Sequence, residues 1–186
     1  MTSEKILNDY PKEWKDAELF ERTISKFIIQ EEYILVNNLS ERCITHKLAE
    51  HLKNSFSYYD IDCEYNRMEL GVSSQDYVAK TLCLKSEKVS TDSIDGDTVF
   101  PDIIIHKRGN NEDNYLVVEV KKKSYADKRN GDGKEYRDFD RKKLCAYTKE
   151  LKYEWGIYLE FEEGNISLVE FYQNGKKWVN SLNEHV

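Results

Sequence analysis

The first third of the chain carries its apolar residues at the three- and four-residue steps that are typical of amphipathic helices. From about Lys12 to Val36 this spacing predicts one helix, whose apolar stripe consists of Leu19, Phe20, Ile24, Phe27 and Ile28. The segment Asn37–Asn54, NNLSERCITHKLAEHLKN, predicts a second helix. Asn38 or Ser40 is its expected N-cap, because either side chain can accept a hydrogen bond from the first turn.

Beyond these helices the pattern changes to the alternation of apolar and polar residues that predicts strands. The expected strands are YDIDCEYNR, DIIIH, YLVVEVK, GIYLEF and ISLVEFYQ. Between residues 68 and 98 the pattern is weak, with a strand favoured in DYVAKTLCL and a polar loop in KSEKVSTDSIDGDT. A helix from about Tyr136 to Leu151 follows a Gly-, Asn- and Asp-rich connector, and KKWVNSLNEHV is expected to form a tail. This order predicts an α/β fold in which helices flank a central mixed sheet.

Length and composition favour a single domain spanning residues 1–186. No apolar run approaches the ~18 residues that a membrane span needs. The charged start of the chain lacks the apolar stretch of a secretory signal. Four widely spaced cysteines with no C-x-x-C pair disfavour a zinc site and a disulfide framework. We therefore expect a cytoplasmic protein with no membrane partner.

The charge of the chain is distributed unevenly. The net charge is −7, yet residues 120–143 contain ten Lys or Arg against five acidic residues, so this segment carries +5 and the remainder −12. A basic segment on an acidic protein fits a surface that faces phosphates, and it equally fits a solvated loop and helix face. The candidate nucleic-acid-binding residues in and around it are Lys122, Lys123, Lys128, Arg129 and Arg141.

The hairpin formed by DIIIH and YLVVEVK carries two acidic residues within its apolar pattern. Symmetric pairing about the connecting loop places Asp102 opposite Glu119, with Cβ atoms about 5 Å apart. Lys121 shares the face of Glu119 because strand side chains alternate. The opposite face is apolar: Ile103, Ile105, Leu116, Val118 and Val120. Opposed carboxylates repel, and a hard cation such as Mg²⁺ would reverse that repulsion. The alternative is a solvated strand face with two exposed acids and a lysine.

A third carboxylate is aimed at the same region from the second helix. On a helical projection at 100° per residue, with Ile44 at 0°, Glu41 lies at about 60°. This is inside the apolar stripe formed by Ile44, Leu48 and Leu52. Glu50 lies at about 240°, on the polar side. Glu41 is therefore expected to face the sheet. Its alternative roles are to complement the helix dipole or to complete a capping box with Asn38.

Together these residues resemble the PD-(D/E)xK nuclease superfamily. FPDIIIH followed by VVEVKKK supplies Pro101-Asp102 and then Glu119-Val120-Lys121. The upstream Glu of SERCITHKLAEHL is similar to that of archaeal-type Holliday junction resolvases and many restriction-like enzymes. The resemblance extends from about Asn37 to Phe161. It implies a restriction-endonuclease-like core at residues 37–172, preceded by a helical extension at residues 1–36.

The resemblance also implies roles for individual residues. Asp102, Glu119 and the backbone carbonyl of Val120 would hold Mg²⁺ or Mn²⁺, and Glu41 would complete the metal shell or hold a second ion. Lys121 would position the attacking water or stabilise charge that develops on the phosphate. The helix after the motif would line the site, with Asp140, Arg141 and Tyr147 as the candidates on its facing side. An ordinary helix–sheet contact is the alternative for these three residues.

Three functions are compatible with this pattern. The first is a Mg²⁺-dependent endonuclease that cuts DNA by attack of water on a phosphodiester. The second is a restriction-like module with little catalysis that binds nucleic acid or protein, which the net acidity favours. The third is an RNA-directed nuclease in a toxin or defence system. Cutting both strands of a duplex usually needs two sites, so a homodimer is compatible with the first function, as is a subunit of a larger complex.

Overall fold

A computed structural model of the protein describes residues 10–37, 39–65, 67–69, 77–79, 81–82, 97–98, 100–123 and 134–180. The helices are α1 (Ala17–Gln30), α2 (Glu32–Val36), α3 (Glu41–Ser55) and α4 (Lys134–Glu150). The strands are β1 (Asp60–Cys63), β2 (Arg67–Glu69), β3 (Tyr77–Ala79), β4 (Thr81–Leu82), β5 (Asp97–Thr98), β6 (Ile103–His106), β7 (Leu116–Lys122), β8 (Trp155–Glu162), β9 (Asn165–Gln173) and β10 (Lys176–Lys177). Within these ranges, none of the helices is long and apolar enough to cross a membrane.

Six of the strands form one mixed sheet in the order β1-β6-β7-β8-β9-β10. Neighbouring strands are antiparallel except β7 and β8, which are parallel. A parallel pair requires a crossover, and α4 supplies it between these two strands. The predicted α/β fold with a mixed sheet flanked by helices is thereby confirmed. The prediction that KKWVNSLNEHV forms a tail is wrong for its first two residues, Lys176 and Lys177, because they form β10 and pair with β9.

The hairpin register matches the sequence-based expectation. Ile103 pairs with Val118, and Ile105 pairs with Leu116. Continuing this register by one residue places Asp102 opposite Glu119. The two carboxylates therefore belong to the same side of the sheet.

One face of the sheet is covered by α1 and α3 through an apolar layer. Phe20, Ile24 and Phe27 of α1 are fully buried, as are Leu48 and Leu52 of α3. The sheet contributes alternate residues of its central strands to this layer: Ile103, Ile105, Leu116, Val118, Val120, Ile157, Leu159 and Phe161. The N-terminal helices are therefore part of the main core.

The prediction of a single helix from Lys12 to Val36 is wrong in two respects. The helix starts later than Lys12, and the segment forms two helices, α1 and α2. The helix begins at Ala17. Asp16 occupies the N-cap position, but its side chain makes no capping hydrogen bond and instead accepts one from Tyr115 Oη. Glu31 closes α1 through its N–H to the Phe27 carbonyl, and α2 then starts anew. The apolar spacing could not reveal this break because Ile34, beyond it, is buried as well.

The opposite face of the sheet is covered by α4. Ile104 and Val117 pack there with the helix residues Leu144 and Tyr147, in a smaller cluster rich in tyrosine. The alternative of a solvated strand face is wrong for Glu119, which is 1% exposed.

Candidate active site

Asp102 lies just before β6 and caps the neighbouring strand. Its Oδ2 accepts a hydrogen bond of 2.8 Å from the backbone N–H of Val120. The N–H and C=O of one strand residue point to the same side, so the Val120 carbonyl also faces the Asp102 side. Because β6 begins only at Ile103, its backbone does not pair with this end of β7. The carboxylate of Asp102 takes the place of a partner strand there.

Glu41 reaches the same end of β7 from the first turn of α3. Ser40 caps the helix by accepting a hydrogen bond from the Cys43 N–H, which confirms one of the two predicted N-caps. Glu41 Oε2 accepts from the backbone N–H of Lys122 at 3.1 Å, and Oε1 lies 3.2 Å from Lys121 Nζ. The inward orientation of Glu41 is confirmed.

Lys121 lies between two carboxylates that come from different helices. Its Nζ is 3.2 Å from Glu41 Oε1 and 3.0 Å from Asp140 Oδ2. Burial opposes the charged ammonium, but the carboxylates of Asp140 and Glu41 outweigh it and raise the pKa of Lys121 above its usual value. Lys121 is therefore a cation at neutral pH, which suits charge stabilisation and not proton abstraction.

Glu119 is the most deeply buried acid of the site. Its Oε2 accepts a hydrogen bond of 2.8 Å from Lys143 Nζ, and that ammonium also lies 2.9 Å from Asp140 Oδ1. Its Oε1 is buried and has no hydrogen-bond partner among the described residues. Burial and the nearby charge of Asp102 raise the pKa of Glu119 well above its usual value, against the influence of Lys143.

The charges of the site form an alternating chain across the end of the sheet. Ion pairs link its members in the order Glu119, Lys143, Asp140, Lys121, Glu41. Asp102 lies beside the chain, and burial raises its pKa although Val120 N–H, Lys121 and Lys143 act in the opposite direction. The positive charges of Lys143 and Lys121 thus reduce the repulsion between the acids on either side of them.

These acids fit a hard divalent cation by their chemistry. Their donors are oxygens, which Mg²⁺ and Mn²⁺ prefer. The orphaned Oε1 of Glu119 is a buried acceptor of the kind that a bound cation satisfies. In the part of the chain that the structure describes, no three His, Cys, Asp or Glu side chains converge as a ready-made metal site. The ammonium of Lys143 is instead in contact with the buried carboxylate of Glu119.

Of the three residues proposed on the helix after the motif, two lie in this region. Asp140 joins the charge chain, and Tyr147 is fully buried with its Oη unbonded to any described residue. Burial and the charge of Glu119 raise the pKa of Tyr147. Arg141 is directed away from the site, towards Glu170 at 2.7 Å.

Lys143 is the residue that the sequence prediction missed. Its position on the helix lies about 40° from that of Tyr147, so the same helical projection could have found it. The charge pattern alone does not distinguish Lys143 from the other nine basic residues of the segment 120–143, for which a solvated or phosphate-facing surface is expected.

The predicted nucleic-acid-binding residues have internal partners where the structure describes them. Lys122 Nζ donates to the Leu39 carbonyl at 2.6 Å, and Lys123 Nζ donates to Glu162 at 3.0 Å. Arg141 is paired as described above. Lys128 and Arg129 lie outside the described residues. Phosphate binding by these five residues stays a prediction.

A cleft of about 420 Å³ opens beside the site on the side of α3. Glu41 and Asp102 line it together with Cys63, Glu64, Arg42 and His46. Two of the candidate metal ligands, Glu41 and Asp102, therefore border an open cleft.

Comparison with protein-family models, with curated proteins and with solved structures found no match to this chain. The resemblance to PD-(D/E)xK nucleases therefore rests on the sequence motif and stays a prediction.

Proposed function

We propose that this protein is a divalent-metal-dependent nuclease that hydrolyses phosphodiester bonds in DNA, built on a restriction-endonuclease-like core. One observation carries the proposal. Glu41, Asp102 and the β7 residues Glu119 and Lys121 come from three separate parts of the chain and lie at one end of the sheet, where Glu41 and Asp102 line a cleft. Bringing these three carboxylates together is costly for stability, because Asp102 and Glu119 lose hydration on burial and the acids repel one another. A catalytic role accounts for that cost.

The residues that would hold the metal are Asp102, Glu119, the backbone carbonyl of Val120, and Glu41. A metal bound there would polarise the phosphoryl oxygen and lower the pKa of a bound water. Lys121 is held as a cation by Asp140 and Glu41, and it would stabilise the negative charge that grows on the phosphate. Asp140 positions Lys121 and does not contact the substrate in this scheme.

A specific observation favours one rival function. Internal partners occupy the side chains of Lys122, Lys123 and Arg141. The net charge of the chain is −7, so we expect an isolated chain to bind DNA weakly. A restriction-like module that binds a nucleic acid or a protein partner, with little catalysis of its own, is compatible with these features. An RNA substrate is the third option.

The test is a cleavage assay on plasmid DNA, linear DNA and RNA with Mg²⁺, with Mn²⁺ and with EDTA. We expect metal-dependent cutting of DNA by the wild type. The variants Asp102→Asn and Lys121→Met should each lose roughly 10²- to 10³-fold in rate, as expected when one charge-stabilising group is removed from a site.

Two glutamates of the same helix provide a matched comparison. Glu41→Gln removes the charge that faces Lys121, whereas Glu50→Gln removes an exposed charge that pairs with Lys47. We expect a large loss of cutting in the first variant and none in the second, with folding of each verified by its Tm. Equal activity of Asp102→Asn and the wild type would exclude the proposed site. DNA binding without cleavage by the wild type would favour the rival function.

A further inference from the structure

The Lys143 ammonium lies where its charge neutralises the deepest carboxylate of the site. Its Nζ is 2.8 Å from Glu119 Oε2 and 2.9 Å from Asp140 Oδ1, and its side chain is 12% exposed. An ionised carboxylate in such a dry environment requires a counter-charge. Among the described residues, Lys143 is the cation that pairs with Glu119.

We infer that Lys143 is an internal counter-ion of Glu119 that opposes metal binding, so that this lysine sets how tightly the site holds a divalent cation. The inference rests on the proposed function, since it assumes that Glu119 is a metal ligand. It extends that function by naming a positioning residue that regulates occupancy of the site.

The geometry of Glu119 explains why the Lys143 ammonium would repel a cation bound to this carboxylate. A cation that used Oε2 would have to displace the ammonium directly. A cation that used the unpaired Oε1 would share one carboxylate with Lys143 Nζ and lie within a few ångströms of it. In either arrangement two positive charges approach each other in a poorly hydrated place, where their repulsion is strong.

A displaced Lys143 already has a second partner. Asp140 Oδ1 lies 2.9 Å from Nζ, so the ammonium can release Glu119 and keep an ion pair. Asp140 also contacts Lys121. Lys143 can therefore exchange with a metal without becoming an unpaired buried charge, and its effect is on affinity and not an absolute block.

The experiment measures binding of Mn²⁺ alone to the wild type and to four variants, by the electron paramagnetic resonance signal of free Mn²⁺ and by calorimetry. Lys143→Met removes the ammonium and preserves its length. Lys143→Gln also removes the charge but keeps a hydrogen-bond donor for Glu119, which protects the measurement if the Met variant does not fold. Lys143→Arg keeps the charge.

The matched control is Lys142→Met, which makes the same change in net charge at the adjacent, exposed position of α4. We expect Lys143→Met and Lys143→Gln to bind Mn²⁺ roughly tenfold to a hundredfold more tightly than the wild type. Lys143→Arg should show no such gain, and Lys142→Met should stay within about twofold because a solvated charge is screened. The Tm of each variant is measured alongside, because an unfolded acidic chain can also bind Mn²⁺ through exposed carboxylates, and only a gain in a folded variant supports the inference.

Unchanged or weaker Mn²⁺ binding in the Met and Gln variants would overturn the inference. If the wild type nevertheless cuts DNA with Mn²⁺, only the role of Lys143 is lost and the nuclease proposal stands. If neither the wild type nor any variant binds Mn²⁺, the inference and the metal-dependent mechanism fail together.

Discussion

The two faces of the sheet are both buried, but they are buried by different interactions. The face under α1 and α3 is an apolar layer in which Phe20, Phe27 and Leu48 are fully buried. The face under α4 combines a tyrosine-rich cluster with ion pairs such as Lys143–Glu119 and Arg141–Glu170. Burial of apolar side chains stabilises the fold and does not require a particular orientation of each side chain. A buried ion pair adds little net stability to the fold but holds its two side chains in one position. The first face therefore supports the fold, and the second positions charge.

The apolar face should show the largest loss of stability. Leu48→Ala removes a fully buried side chain and leaves a cavity, so we expect a loss of about 3 kcal/mol in the free energy of unfolding. Urea unfolding followed by circular dichroism measures it. The control is Ile29→Ala in α1, where the side chain is 76% exposed and the expected change is within about 0.5 kcal/mol. A loss below about 1 kcal/mol at Leu48 would mean that this layer packs loosely.

The face under α4, which carries the ion pairs, should show a smaller loss of stability, and this loss should depend on pH. Burial acts against the charge of Glu170, but hydrogen bonds from Arg141, Lys177 and Tyr172 outweigh it and lower its pKa. A lowered pKa in the folded state stabilises the protein above the ordinary carboxyl pKa, and this contribution is lost as the pH falls through the folded value. We therefore expect Glu170→Gln to cost about 2 kcal/mol at pH 7. The exposed control Glu154→Gln should cost almost nothing.

Unfolding measured from pH 7 down to about pH 3 tests the sign of this effect, because ordinary Glu side chains titrate at about pH 4.3. The difference between Glu170→Gln and the wild type should shrink as the pH falls below about 5. A difference that stayed constant over this range would show that Glu170 stabilises the fold by packing and not by its charge.

The smallest expected effect is a gain in stability under α4. The hydroxyl of Tyr147 is buried without a hydrogen-bond partner in the described structure, so Tyr147→Phe should stabilise the protein by up to about 1 kcal/mol. Tyr172 is the matched residue, since its hydroxyl donates to Glu170 at 2.9 Å and Tyr172→Phe should destabilise. Thermal unfolding of both variants measures the contrast. A lower Tm for Tyr147→Phe would mean that its hydroxyl is hydrogen-bonded in solution.

Local patterns predicted the hairpin and the orientation of α3 because each depends on a short repeat. Alternation in β7 separates Val118 and Val120 from Glu119, and symmetry about one loop sets the register with β6. The helical period places Glu41 on the buried side of α3 and leaves Glu50 exposed. Such periods are properties of the backbone geometry and need no knowledge of the partner element.

The partner of each charge could not be predicted in the same way. The pairing of Lys121 with Glu41 spans 80 positions, and that of Lys143 with Glu119 spans 24. Which acid a lysine meets depends on how far α4 lies across the sheet and how deeply it packs. The sequence therefore favours a solvated or phosphate-facing role for the whole basic segment, whereas Lys143, with its side chain 12% exposed, forms an ion pair with Glu119.

The sequence by itself determined the face to which each hairpin and α3 side chain belongs, and with it the side of the sheet that carries Asp102, Glu119 and Lys121. Only the tertiary structure decided that this side lies beneath α4 and that Lys143 separates Glu119 from Asp140. The physical reason is that periodicity acts along one element, whereas the burial and pairing of charges result from packing between elements.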